Sequence, residues 1–346
     1  MRPPSRLLLA PALVASAFLA GCSEAPQATP AASEAPAVAA TPTPTPTPTP
    51  TVASAPPAVF GGDCASVFTD EEVSEALGAP FSAVDPAQVV LPQILAVEQL
   101  GGIHCSWAQV DDPSVRSWFT VLPASAGSEQ ELNQVSCYGP CAFGTASNGL
   151  WLAGVVYPSA AEDESSSAVA ALTSAFASSA ARQPAPVPPG AVPGRWAGAV
   201  DCAALSDAAG LPAALGDPQL HVDRGDYPGE AGPGAYAAAK AAGVTNCWWS
   251  SDEPATRGPL DFAVQLLPAG GWVRARIEAL PGAQSISVPG ADAAFVVATS
   301  SEWRDSEVLH VFAGGNWMTV QSSSTAVSLE DVLPAVPPLL SALARG

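Results

Sequence analysis

The sequence predicts an α+β protein made of two similar domains. Each is an antiparallel sheet with its N- and C-terminal helices on one face, stapled by a disulfide. Three observations predict this. The chain repeats its own motifs in order. Each copy runs from a short capped helix through apolar strands to a closing helix. Cysteines recur at matching places in both copies. Helices at the two ends of a run of strands favour α+β architecture over alternating α/β.

The N-terminus is an address rather than a fold element. Arg2 and Arg6 precede an uncharged apolar run from Leu7 to Leu19, ending at Leu19-Ala20-Gly21-Cys22. Such a run is a signal-peptide core and is too short to cross a bilayer as a stable helix. The four-residue box resembles the lipobox of bacterial lipoproteins, which implies cleavage after Gly21 and acylation of Cys22. The expected location is then the outer face of the cytoplasmic membrane. Loss of residues 1–21 leaves 10 basic side chains against 32 acidic ones. Lipid, not a polybasic patch, must then hold the chain to the membrane. The intact sequence has a net charge of −20 and one lysine, Lys240. Phosphate backbones repel such a chain, so nucleic-acid partners are excluded.

Residues 22–60 form the lipidated cysteine and a tether of Ala, Pro, Thr and Ser, with Thr-Pro alternating from Thr41 to Pro50. Proline fixes φ and removes donors, so an extended, disordered spacer reaching on the order of 100 Å is expected.

The first copy is assigned to 61–183 and the second to 195–346, with the Pro-rich linker 184–194 between them. Asp63-Cys64 precedes Leu77-Gly78 as Asp201-Cys202 precedes Leu215-Gly216. Cys105-Ser106-Trp107 answers Cys247-Trp248-Trp249, and Trp118 to Ala124 answers Phe262 to Ala269. Self-similarity of this kind signals a structural repeat. In copy 1, Thr69 and Glu72 predict a capping box and Gly78 the helix stop. In copy 2, Ser206 is the expected cap and Gly216 the stop. A variable loop follows in each, then strands. Asn148-Gly149 is a turn signal before the closing strand of copy 1, and Ala313-Gly314-Gly315-Asn316 is a hairpin turn signal in copy 2. Ser166 to Ala181 and the segment from Ser328 close the copies, with Pro337 and Pro338 expected to break or kink the second. Each copy owns its helices, strands and a clamp, so each is expected to fold alone.

Of seven cysteines, Cys22 goes to lipid. The other six should be oxidised outside the membrane. The repeat pairs Cys64 with Cys105 and Cys202 with Cys247, leaving Cys137 with Cys141. In the chain-entropy model each long-range bridge contributes about 4 kcal/mol. Cys137-Tyr-Gly-Pro-Cys141 is one residue longer than a Cys-x-x-Cys redox motif and lacks a βαβ context, so a structural clamp is expected. Copy 2 carries Ser285 to Ala291 in that region. No HExxH, GxSxG, Ser-x-x-Lys or P-loop pattern occurs. His104, His221 and His310 lack metal-ligand spacing. The paired acids mostly sit at helix starts, where they offset the dipole. Arg224-Gly225-Asp226 is taken as a chance tripeptide in a loop. No cofactor, metal or catalytic residue is expected.

The arrangement Asp-Cys, capped helix, Leu-Gly, then Cys-x-Trp, behind a lipobox and a Pro/Ala/Thr tether, resembles a family of actinobacterial lipoproteins of unknown function. It is more distantly similar to extracytoplasmic sensor domains of mycobacterial-type receptor kinases. The resemblance implies a disulfide-stapled α+β domain and hands over no catalytic residues. The expected role is non-catalytic binding or sensing in the cell envelope, through an unknown ligand or protein partner. The alternative is an accessory envelope protein that only docks to other proteins. The repeat points to one place for such a site. Period two on a strand puts each cysteine and its tryptophan on the core face and the residue between them on the other. That residue is Ser106 in copy 1 and Trp248 in copy 2. Ser300 to Glu307, with Trp303 and Arg304, is taken as an insertion in copy 2. Trp248, Trp303 and Arg304 are therefore the candidate binding surface, the alternative being that Trp248 packs under a helix or against copy 1, and Trp248→Ser is expected to be tolerated by the fold.

Overall fold

The structure is a computed structural model. It describes residues 54, 56–84, 90–126, 136–137, 140–157, 162–186, 196, 200–225, 232–251, 260–300, 305–322 and 327–345. Copy 1 opens on a 3-10 turn, Cys64–Ser66, capped by Asp63. Helix α1, Asp70–Leu77, follows. Its capping box is formed as expected: Thr69 accepts from Glu72 N–H, the Glu72 carboxylate accepts from Thr69 N–H, and Gly78 ends the helix at φ 73°. Copy 2 starts differently. Asp201, not Ser206, is the cap, because its carboxylate accepts from Ala204 N–H and starts α4, Cys202–Ala209. Ser206 is buried inside that helix. Gly210 and Gly216, both left-handed, end α4 and α5, Leu211–Leu215.

Sheet A holds six strands: β1 Phe81–Val84, β2 Ile103–Gln109, β3 Arg116–Pro123, β4 Ser136–Cys137, β5 Cys141–Ser147 and β6 Leu150–Val156. Their order is β1-β2-β3-β6-β5-β4. Sheet B holds seven: β7 His221–Gly225, β8 Thr245–Ser250, β9 Asp261–Leu267, β10 Gln284–Ile286, β11 Ala293–Ser300, β12 Asp305–Ala313 and β13 Asn316–Ser322. Their order is β10-β11-β12-β13-β9-β8-β7. Every described pairing is antiparallel. The β5–β6 turn has Asn148 and Gly149 at φ 49° and 72°, and the β12–β13 turn has Gly314 and Gly315 at 57° and 81°. Positive φ at both central residues suits the strand twist of a tight hairpin.

The outer face of each sheet carries the disulfide and the terminal helices. On sheet A, Cys105, Trp107, Phe119 and Leu152 pack with Val73 and Leu77 of α1. Leu172 and Phe176 of α3, Glu162–Ala180, complete this core. On sheet B, Cys247, Trp249, Phe262 and Val264 pack with Leu205 of α4 and Val332 of α8, Leu329–Val332. Leu339 and Leu340 of α9, Val336–Leu343, join them. Pro337 and Pro338 do not break that helix. They occupy its first turn, where proline's missing N–H has no partner to lose.

The inner faces are where the structure adds most to the expectation. Two helices from the supposed variable loops lie there: α2, Pro92–Gln99, and α6, Gly232–Ala242. They pack on each other, and each also reaches the other copy. Helix α6 of copy 2 lies on β3 and β6 of copy 1, and α2 of copy 1 touches β9 of copy 2. One shared core joins Ile94, Val97, Leu122 and Trp151 to Ala235 and Ala238. Another joins Leu95 and Ala96 to Ala239, Leu267, Trp272 and Trp317. Ile277 of α7, Arg274–Glu278, belongs to this second core. Gln99 Nε2 donates to the Pro268 carbonyl at 2.9 Å, and Arg276 grips the Glu98 carboxylate with two nitrogens at 2.9 and 2.7 Å. Residues 51–346 therefore form one compact unit of five layers: helix, sheet, helix, sheet, helix. The inner face of each sheet is finished by residues of the other copy, which argues against the expectation that each copy folds alone.

Strand order also corrects one correspondence. In sheet A the strands beyond β6 are β5 and β4, and in sheet B those beyond β13 are β12 and β11. Ala142 pairs with Val155 as Val308 pairs with Gln321, so β5 stands to β6 as β12 stands to β13. The Cys137–Cys141 hairpin thus corresponds to the β11–β12 hairpin, not to Ser285–Ala291.

Candidate functional site

Both long-range bridges are present. Cys64 is bonded to Cys105 and Cys202 to Cys247, with Cα atoms 5.7 and 5.5 Å apart. Cys141 is also disulfide-bonded, and its cross-strand neighbour is Cys137. Cys22, Trp303 and Arg304 lie outside the described residues. No group of three or more His, Cys, Asp or Glu side chains that could hold a metal ion occurs among the described residues. No described helix is long and apolar enough to cross a membrane.

Trp248 lies on the inner face of sheet B, opposite the disulfide, as period two requires. It is half-buried, and its Nε1–H donates to Asp261 Oδ1. Its cross-strand partner is Ala263. The row then continues through Gln321 on β13 and Val308 on β12, both half-buried. Two residues along the strands comes a polar row: Asn246, Gln265, Thr319 and His310. A further two residues along, the face is apolar and buried, with Leu267, Trp317 and Phe312. The inner face thus grades from a half-open aromatic row, through a polar row, into the shared core.

His310 is 3 % exposed and its ring stacks on Trp317, centroids 5.8 Å apart. Burial pushes its pKa down to about 4, because a charged ring would be cut off from water. Its Nδ1 has no hydrogen-bond partner among the described residues. His104, on the same inner row of sheet A but at the place of Asn246, is likewise lowered to about 4 by burial and bonds Thr120 Oγ1 at 2.8 Å. Burial favours the neutral form of both imidazoles, and neither is hydrogen-bonded to a carboxylate among the described residues.

Register shows a feature that motif matching missed. Ser106 faces Trp118 across β2 and β3, while Trp248 faces Ala263 across β8 and β9. The two pairs occupy the same place in their sheets. Each holds one tryptophan and one small residue, on exchanged strands. Trp118 is half-buried and meets Tyr157 edge to face at 5.7 Å, with Tyr157 37 % exposed. Trp248→Ser therefore does not restore the copy-1 arrangement, since it leaves Ser beside Ala. The signal was in the sequence, as Trp118 against Ala263 in the aligned strand motifs. It acquires meaning only when the cross-strand partner is known.

No protein-family profile, curated protein or solved structure matches this chain.

Proposed function

We propose that this chain is a lipid-anchored, extracytoplasmic binding or sensing protein of the cell envelope, acting without catalysis at the inner face of sheet B. The lipobox at Cys22, the Pro/Thr tether and the disulfide-rich fold support the location. The observation that carries the binding role is Trp248. It is a large aromatic held half-open by Asp261, in front of a polar row that sheet A does not repeat. Copy 1 has His104, Thr120, Ala153 and Gly144 in that row, where copy 2 has Asn246, Gln265, Thr319 and His310. An aromatic beside amides and a hydroxyl offers both buried area and directed hydrogen bonds to a ligand. Protein docking alone is the second reading, favoured by the exposed Tyr157 over Trp118.

The test has two arms. Cys22→Ser should shift the chain from the detergent phase to the aqueous phase. Immobilised protein should retain material from a washed envelope fraction, and Trp248→Phe should keep the fold while reducing retention at least tenfold. Unchanged retention by a Trp248→Phe protein of normal melting temperature contradicts the site.

A further inference from the structure

Copy 2 has a second accessible place, on the opposite side of sheet B from Trp248. An open hollow of about 170 Å³ lies between α4 and α9. Trp196, Val200, Ala204, Ala208, Ala342 and Leu343 line it. In copy 1 the segment after Cys64, which matches α4, shares a core with α3, and its Val67 and Phe68 are fully buried together with Leu172 and Phe176. In copy 2 the facing residues are three alanines, and Ala204 and Ala208 remain exposed. The walls of the hollow are mostly apolar, so an apolar guest that covers them takes that surface out of water.

The rim is not apolar. Arg345 is exposed and its Nη2 donates to the Ala208 carbonyl at 3.0 Å. It forms no ion pair among the described residues. The guanidinium keeps further donors, in a planar fork that matches a carboxylate. A cation fixed one residue from an apolar hollow, in a chain of net charge −20, selects one anionic group at that spot against a generally repulsive field.

We infer that the α4–α9 hollow binds the tail of a single-chain carboxylate amphiphile, with the carboxylate on Arg345. The site is separate from the Trp248 face and does not depend on that reading. Each methylene taken from water should raise affinity roughly fourfold until the hollow is full.

Octanoate, decanoate and octanol are the probes, titrated below their micelle range into the chain from Ser23 onward and followed by calorimetry. Decanoate should bind at least fourfold more tightly than octanoate, and octanoate more tightly than octanol. Ala208→Leu fills the hollow from an exposed position, so it should keep the melting temperature and weaken octanoate at least tenfold. Ala204→Leu is the second filling variant. Arg345→Gln should remove the preference for octanoate over octanol. Trp248→Phe should leave octanoate binding unchanged, which separates this site from the proposed function. Absence of octanoate binding, equal binding by both filling variants, a preference that survives Arg345→Gln, or loss of binding in Trp248→Phe overturns the inference.

Discussion

The two copies share strand order around a common centre, the same disulfide and the same outer-face logic, yet their inner faces are built differently. On sheet A, α6 sits almost on the strands. A methyl group at Gly234 would stand 2.5 Å from Thr120 Cβ and 2.9 Å from Ala153 Cβ. Small residues on both sides make that approach possible. On sheet B the matching row carries Gln265, Thr319 and His310. Counting back from the left-handed glycines at 243 and 101, Pro92 of α2 stands where α6 has Gly234. One repeat has specialised in close helix packing, and the other has kept polar side chains in the same place. A duplicated fold can thus divide its labour: one copy supplies the clamp, the other an accessible face.

The largest expected effect comes from cutting the copies apart. Fragments 61–183 and 195–346 should each lose near-ultraviolet circular dichroism and bind a hydrophobic dye, since each exposes half of two shared cores. Mixing them should restore the signal. Native dichroism in either fragment alone breaks the comparison.

Acid comes next. His104 and His310 have folded pKa values near 4 against an ordinary value of 6.5. The fold favours their neutral forms, so their contribution is complete above pH 6.5 and is lost as pH falls toward 4. Each should cost roughly 2–3 kcal/mol by pH 4.5. Urea midpoints at pH 7.5 and 4.5 measure this, and His104→Gln and His310→Gln should each flatten the dependence. A pH-independent midpoint over that range contradicts burial of both rings.

Much of this was legible in the chain. Thr69, Glu72 and Gly78 mark α1, Gly314-Gly315 marks a hairpin, Asn148-Gly149 marks a turn, and the repeated cysteines mark both bridges, because each is a local rule or a matched spacing. Helices α2 and α6 were not legible. From Pro92 to Val97 every residue of α2 is buried, and α6 is mostly alanine and glycine. A helix enclosed on all sides shows no amphipathic stripe. The start of α4 is hidden because Asp201 belongs to the Asp-Cys motif and caps the helix as well. Within the candidate site, Trp248 was legible by period two. Asp261, Gln265 and His310 were not, since only strand register brings them beside it.

A smaller effect sharpens the comparison of the inner faces. Gly234→Leu should cost about 3 kcal/mol or more by overpacking against Thr120 and Ala153. Pro92→Ala, at the equivalent place in α2, should change stability by less than about 1 kcal/mol. Equal costs in urea titrations show that the two helices approach their sheets alike.

The smallest is the tryptophan exchange. Trp248→Ser should cost about 1–2 kcal/mol, because Ser beside Ala263 leaves a gap. Adding Ala263→Trp rebuilds the Ser106–Trp118 arrangement and should recover at least half of that loss. A double-mutant cycle with no coupling shows that the two places are not equivalent.

The central claim is that two repeats fold as one body through α2 and α6. Scanning calorimetry of the intact chain tests it most directly. One transition is predicted, with a calorimetric enthalpy within about 10 % of the van't Hoff value, as two-state unfolding requires. Two resolved transitions, or a calorimetric enthalpy about twice the van't Hoff value, would contradict it.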